Sequence, residues 1–285
     1  MKKAYLKYLL ALLLFGSNGI VASRIALTSY EIVLLRTCIG SLFLALLFVS
    51  TRQRLTFFHH RRQSAFLALS GVAMGASWMF LYEAYQQIGV SIASLSYYCG
   101  PVIVMALSPL LFREALTIQK LLGFATVLFG LFLVNGQLTG QGGNGWGLIC
   151  GGMSAVMYSL MIIFHKKAPA ISGLENAMLQ LLVSFLTVAC FVGFRQGFAL
   201  LILPADWLPI LILGLVNTGI GCYLYFSSIG LLPVQTVAIC GYLEPLSAVI
   251  LSVLFLHEPL LPIQMLGAAL ILGGAAFGTD LPKST

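Results

Sequence analysis

Glu244 and Pro245 stand side by side in GYLEPLSAVILSVLFLHEP, residues 241–259, a run that is otherwise mostly apolar. A carboxylate in apolar surroundings is costly unless it is paired or protonated. Proline withholds a backbone donor and frees the carbonyl four residues back, here Gly241. Two local rules broken in adjacent positions mark function or strain. At helical spacing Glu244 shares a face with Cys240, Gly241, Ser247 and Ala248, all small. Either that face packs closely on a neighbouring helix with the carboxyl neutral or bonded, or the carboxyl faces a cavity and binds an amine or a proton. The cavity is the expectation carried forward.

Arg36 and Glu83 are the next pair. Both fall roughly 6–8 Å below the same end of their apolar runs at 1.5 Å per residue. Helices adjacent in sequence are often neighbours in space, so an ion pair is expected between them, serving as structure or as a gate. Asn18, Trp78, Tyr82, Tyr97, Tyr98, Asn217 and Tyr242 are further polar or aromatic residues within apolar runs. Each alone reads as a helix–helix contact; together with Glu244 they suit a cavity for an amphipathic solute with a ring or an amine. The chain lacks HExxH, GxSxG and clustered carboxylates at metal-ligand spacing, and His59, His60, His165 and His257 lie at run ends or in loops. That speaks against an enzyme, and no cofactor or metal is expected.

The elements that must position these residues are membrane spans. Of the 285 residues 60% are hydrophobic and 8% charged, against about 25% charged in a soluble domain. With about 20 apolar residues per span, ten spans fall near 5–24, 30–50, 64–87, 91–112, 117–136, 146–165, 174–194, 207–228, 232–255 and 260–279. They leave no room for a soluble domain, and the expected fold is an all-α integral membrane protein. The net charge of +7 does not imply nucleic acid. Lys2, Lys3, Lys7, Arg52, Arg54, Arg61, Arg62, Arg113, Lys120, Lys166, Lys167 and Lys283 fall on one side, and Arg24 and Arg195 on the other. The positive-inside bias then puts both termini in the cytoplasm, and the Arg52–Arg62 loop is a topology anchor that can touch anionic lipid. The six cysteines, Cys38, Cys99, Cys150, Cys190, Cys222 and Cys240, lie within spans and form no CxxC pair; they read as small packing residues.

An offset of 144 residues places Pro101 on Pro245, Glu114 on Glu258, Gly123 on Gly267 and Gly130 on Gly274. The chain is therefore a duplication. Each copy has five spans, an odd number, so the copies are inverted, as in secondary transporters whose site lies between repeats. The repeat needs the first helix, which argues against its cleavage as a signal peptide. Glu114 and Glu258 sit just before the next helix and are expected to cap free amides there. Gly71–Gly75, Gly147–Gly151 and Gly274–Gly278 are spacings for close helix packing. Gly140, Gly142 and Gly145 spell GxGxxG, but in a link between repeats rather than after a strand, so no dinucleotide site is implied.

CGPVIVMALSPLLFREALTIQKLLGFATVLFGLFLV and LEPLSAVILSVLFLHEPLLPIQMLGAALILGG both resemble the terminal half of an EamA repeat of the drug/metabolite transporter superfamily. LLLFGSNGIVASRIA resembles the family's opening helix, with Phe15 where a Trp is common, and Arg36 matches the arginine usual in the second helix; the sixth span, near Tyr158, departs from the pattern. The resemblance implies a ten-helix fold and solute transport. It gives residues 1–136 as the first repeat, 137–145 as linker, and 146–285 as the second repeat with a short cytoplasmic tail. The expected function is alternating-access transport of a small organic metabolite, an amino acid or related amine or aromatic compound, outward across the cytoplasmic membrane. Pro101 and Pro245 would act as hinges, protons as coupling ion, and the bilayer and a second copy as partners. A sugar-phosphate or other organic-anion carrier is the alternative, disfavoured because Arg36 is the lone deep cation. A channel or receptor is disfavoured by the inverted duplication.

Overall fold

The computed structural model describes residues 2–53, 55–135, 145–198, 200–256 and 262–278, and the regular elements among them are all helical. The first half holds α1 (Lys2–Gly16), α2 (Asn18–Ala22), α3 (Ser29–Ser50), α4 (Arg61–Tyr97), α5 (Gly100–Phe112) and α6 (Ile118–Asn135). The second begins with α7 (Gly145–Lys166) and α8 (Gly173–Arg195). Next, α9 (Trp207–Leu211) runs through a π-helical segment (Ile212–Ile220) into α10 (Gly221–Ile229), followed by α11 (Val234–Gly241), α12 (Leu243–Leu256) and α13 (Pro262–Gly278). Glu258, Lys283, Arg54 and most of the linker, with Gly140 and Gly142, lie outside the described residues.

Six stretches are long and apolar enough to cross a bilayer: Lys2–Ala22, Ser29–Ser50, Arg61–Ile88, Gly145–Lys166, Gly173–Arg195 and Pro204–Ile229. This is a multi-pass membrane protein. Ten whole spans are not found among the described residues. Gly100–Phe112, Ile118–Leu133 and Met265–Gly278 are shorter apolar helices, and the expected fourth and ninth spans are interrupted. The boundary expected near residue 87 is also absent, because α4 continues to Tyr97. A lone Gly89 does not stop a helix; the chain breaks at Tyr98–Cys99, ahead of Gly100 and Pro101.

The second repeat breaks at Tyr242, between α11 and α12. Pro101 and Pro245 therefore lie in the first turns of α5 and α12, where backbone amides have no intrahelical acceptor and a missing donor costs little. This corrects the expectation that Pro245 frees the Gly241 carbonyl inside one continuous helix. Accordingly, Pro245→Ala restores no helical hydrogen bond, and its turnover in a flux assay is expected within about twofold of the wild type, the effect of a few tenths of a kcal/mol.

The two breaks face each other. Tyr98 and Tyr242, which the 144-residue offset relates, have ring centroids 6.3 Å apart, and the Tyr242 hydroxyl donates to the Tyr98 carbonyl at 2.7 Å. The glycines give the same reciprocity. A Cβ on Gly123 would fall 2.8 Å from the Gly274 carbonyl oxygen, and one on Gly130 would fall 2.6 Å from that of Gly267. Residue numbers rise along α6 as they fall along α13, so these equivalent helices pack antiparallel through exchanged positions, the signature of a two-fold relation. Gly71 and Gly75 bring α4 against α8 in the same close manner, and Gly147 and Gly151 bring α7 against α4.

Glu114 does cap amides, but not those of the helix that follows it. Its carboxylate accepts from the Val234 and Gln235 amides, at 2.7 and 3.1 Å, at the start of α11. The Gln235 side chain returns to the Glu114 carbonyl at 3.2 Å and to the Ser108 hydroxyl at 2.8 Å. The cap thus stitches one repeat to the other. Glu114→Ala is expected to lower stability by about 0.5–2 kcal/mol, the usual range for a lost cap, read as a drop in thermal unfolding temperature in detergent.

The positively charged ends gather at one end of the bundle. The Ala170 amide donates to Gln63 at 2.7 Å, Lys167 lies over the Phe66 ring at 5.6 Å, and Glu175 accepts from the Thr56 and Phe57 amides at 2.7 and 2.8 Å. Lys166 donates to the Leu232 carbonyl there as well.

Candidate functional site

Gly16 lets the site form. A Cβ there would fall within 1.8 Å of the Ser247 hydroxyl, so only glycine allows α12 so close to the end of α1. Ser247 donates to the Leu12 carbonyl at 3.2 Å in this contact. The small face around Glu244 therefore packs on a neighbour, as one of the two accounts required. One turn earlier on α12, Glu244 itself faces a chamber.

That chamber is lined by Phe15, Asn18, Arg36, Met74, Ser77, Trp78, Tyr97, Tyr158, Met161, Cys222, Tyr225, Phe226 and Glu244. It continues into a wider vestibule that shares Phe15, Asn18, Arg36, Trp78, Tyr97 and Glu244 with it. The vestibule reaches Ser23, Leu27, Tyr82, Tyr85 and Gln86, away from the lysine- and arginine-rich end. At the opposite side Tyr8, Tyr225 and Phe226 close the floor. Tyr8 is fully buried and donates to the Val237 carbonyl at 2.8 Å, with its ring 5.6 Å from that of Tyr225.

Three polar groups reach the chamber without a full set of partners. Glu244 stands in the first turn of α12, where the helix dipole favours a carboxylate, and its side chain meets no hydrogen-bond or ion-pair partner among the described residues. Asn18 opens α2, and its Oδ1 is buried without a hydrogen-bond partner. Arg36 is 5% exposed; its Nε donates to the Thr218 hydroxyl at 2.9 Å, and its guanidinium lies 4.8 Å from the Trp78 ring centre. Both Nη groups of Arg36 are left without a protein partner among the described residues.

Thr218 belongs to the π-helical segment and donates to the Leu213 carbonyl, five residues back, at 2.7 Å. The wider turn lets one hydroxyl hold both its own backbone and Arg36. π-Helical turns are rare and concentrate at functional sites. Neither Thr218 nor the π-helix was legible in an apolar run, since the residues that form it follow an ordinary helical pattern.

Not all expected site residues converge. Arg36 and Glu83 do not pair. The reason is packing: α3 rests mainly on α8, and α4 mainly on α7 and α8, so equal depth does not bring the two residues face to face. Glu83 instead accepts from the Tyr30 hydroxyl, and from Gln87 at 3.2 Å, and meets Arg195 of α8 at 3.6 Å. It lines a separate, lateral cavity. Asn217 also lies apart, donating to the Leu14 carbonyl at 2.8 Å and to the Ser17 hydroxyl at 2.7 Å, where it holds the break between α1 and α2. Trp78 lines chamber and vestibule, whereas Tyr82 and Tyr98 line the vestibule. Cys222, expected to serve packing alone, contributes to the chamber wall; none of the six cysteines is in a disulfide. A double-mutant cycle on Arg36→Gln and Glu83→Gln is expected to be additive within about 0.5 kcal/mol; measured coupling above about 1 kcal/mol would restore the direct pair.

Together these groups offer a donor-rich cation, a carboxyl and an amide acceptor among aromatic rings. That set can hold both ends of a zwitterion and the ring or chain between them. Comparison with known proteins agrees with a transport fold. The EamA-like transporter family matches residues 2–136 and 145–279. The chain is similar to an uncharacterized transporter, YxxF, of Bacillus subtilis, with 25% identity over 96% of this chain and 88% of that one. An uncharacterized transporter of Archaeoglobus fulgidus is 29% identical over 67% of each chain. A solved crystal structure shares the fold with a TM-score of 0.83 at 20% identity, covering 98% of this chain and 99% of the other.

Proposed function

This chain belongs to the EamA-like transporter family, and on that premise we propose that it exports a small zwitterionic or amine-bearing metabolite, an amino acid or an aromatic amine, by alternating access. It is a membrane transporter, and the chamber supports the finer assignment. The observation that carries it is the meeting of Arg36, Glu244 and the unpartnered Asn18 oxygen in one aromatic-lined space. The solute carboxylate would accept from the Arg36 Nη groups, and its ammonium would donate to Glu244 and Asn18. Its side chain would lie against Trp78, Tyr97 and Tyr158. A sugar phosphate would find one guanidinium and a repelling carboxylate.

Coupling follows from competition at Glu244. With the vestibule open, a proton reaching Glu244 from that side displaces the ammonium. After the chamber opens to the other side, the proton leaves and a new ammonium binds. One proton then moves inward for each solute moved outward. The facing breaks at Tyr98 and Tyr242, beside Pro101 and Pro245, are the places where the two repeats would exchange shapes. By the positive-inside rule the lysine- and arginine-rich end would face the cytoplasm, and the vestibule would open at the outer face.

The test is flux from proteoliposomes loaded with radiolabelled amino acids, amines or sugar phosphates, under an imposed proton gradient. Saturable, gradient-driven efflux of an amino acid or amine is expected. Flux of sugar phosphates with none of amino acids or amines would overturn the substrate class in favour of the organic-anion reading.

A further inference from the structure

At the lysine-rich end, a second cavity lies between α1, the α7–α8 turn and the end of α10. We propose that this cavity is a binding site for an oxyanion group, a carboxylate or phosphate, independent of the central chamber. Lys7, Lys166 and His165 all line it. His165 is 3% exposed, and Gln180 Nε2 sits 2.8 Å from its Nδ1. In this structure the same Gln180 nitrogen also donates to Asn176 Oδ1 at 3.5 Å, and Gln180 Oε1 is buried without a partner. Nδ1 is therefore the acceptor, and the ring proton sits on Nε2. Nε2 lies 3.5 Å from where a Cβ of Gly230, another lining residue, would be, and no acceptor meets it among the described residues. His165 lines the cavity, and an N–H there without an acceptor calls for one from outside the chain.

The start of α8 supports the same occupant. Ser172 and Gly173 line the cavity, and Ser172 as N-cap makes no side-chain bond to the first turn of this 23-residue helix. Its open amides and positive dipole end favour an anion. The acid in that turn, Glu175, is committed elsewhere, to the Thr56 and Phe57 amides and, at 2.6 Å, to the Thr56 hydroxyl. The two cations remain at the wall. Lys7 rests 5.3 Å from the Tyr223 ring centre, and Lys166 donates to the Leu232 carbonyl. The counter-charge within reach of Lys166 is Glu114, whose own oxygens are taken by the Val234 and Gln235 amides. The cavity thus offers N–H donors from three elements and no uncommitted carboxylate. Such an anion can be a dissolved metabolite or the headgroup of a lipid.

The experiment keeps His165 as the single histidine, with His59, His60 and His257 replaced by Gln, and follows its ring resonances by ¹⁵N-labelled NMR. One arm titrates inorganic phosphate in zwitterionic micelles at constant pH and ionic strength, with chloride as control. The other compares nanodiscs of phosphatidylcholine with nanodiscs containing phosphatidylglycerol. A saturable shift of the Nε2–H resonance is expected, with apparent affinity falling at least about threefold in Lys7→Gln, a half-exposed position whose replacement leaves the fold intact. A shift with phosphate identifies a dissolved anion; a shift only with phosphatidylglycerol identifies a headgroup. No saturable shift in either arm, or one unchanged by Lys7→Gln, overturns the site.

Discussion

Glu244→Gln is expected to leave the protein folded and inserted while transport falls at least about a hundredfold, or persists with no response to the proton gradient. The substitution keeps size and hydrogen-bonding capacity but removes both the negative charge and the exchangeable proton. Loss of a charged partner for a desolvated ammonium corresponds to about 2–4 kcal/mol, the range of a hydrogen bond to a charged group and somewhat more; 2.7 kcal/mol is about a hundredfold. Glu244→Asp retains the charge and withdraws it by one methylene, so affinity should shift while gradient dependence remains. Thermal unfolding of all three proteins in detergent separates function from folding. Wild-type flux and an unchanged pH profile in the Gln protein would reduce Glu244 to a residue that merely shares a packed face. The twofold relation of the repeats would be untouched by that result.

What could be read from residues alone followed from rules broken locally. Glu244 and Pro245 violate two of them in adjacent positions, and they mark the start of a half-helix beside the chamber. The repeat was legible because Pro, Glu and Gly recur at one offset in a chain dominated by leucine. What that offset could not give was azimuth. Depth along a helix follows from counting residues, but the direction a side chain faces depends on which helices are neighbours. Arg36 and Glu83 share a depth and face different partners because α3 packs on α8 and the π-helical segment, and α4 on α7 and α8, rather than chiefly on each other. Glu114 illustrates the same limit: its capping chemistry was plain from its place at a helix junction, yet its amides belong to α11 in the other repeat. Asn217 was a polar residue within a span and proved to serve a break in α1 that only the folded chain reveals.

Arg36→Lys should raise the KM for solute about tenfold or more while the unfolding temperature changes little. Lysine keeps the charge but has no Nε to donate to Thr218 and no planar group to lie against Trp78. Both contacts, at 2.9 and 4.8 Å, fix where the free Nη groups point. A flexible ammonium in the same place must be ordered at the moment of binding, and about 1.4 kcal/mol lost in that ordering is already tenfold. Thr218→Val isolates the positioning effect, because it leaves Arg36 itself unchanged. Its hydroxyl also bonds the Leu213 carbonyl inside the π-helical turn, so Val removes the acceptor for Arg36 and frees that carbonyl together. The expected order of KM is wild type, then Thr218→Val, then Arg36→Lys, with Arg36→Gln the weakest binder. If Arg36→Lys and Arg36→Gln both transport with the wild-type KM, the guanidinium does not receive the solute carboxylate, and the substrate is an amine held by Glu244 and Asn18 alone.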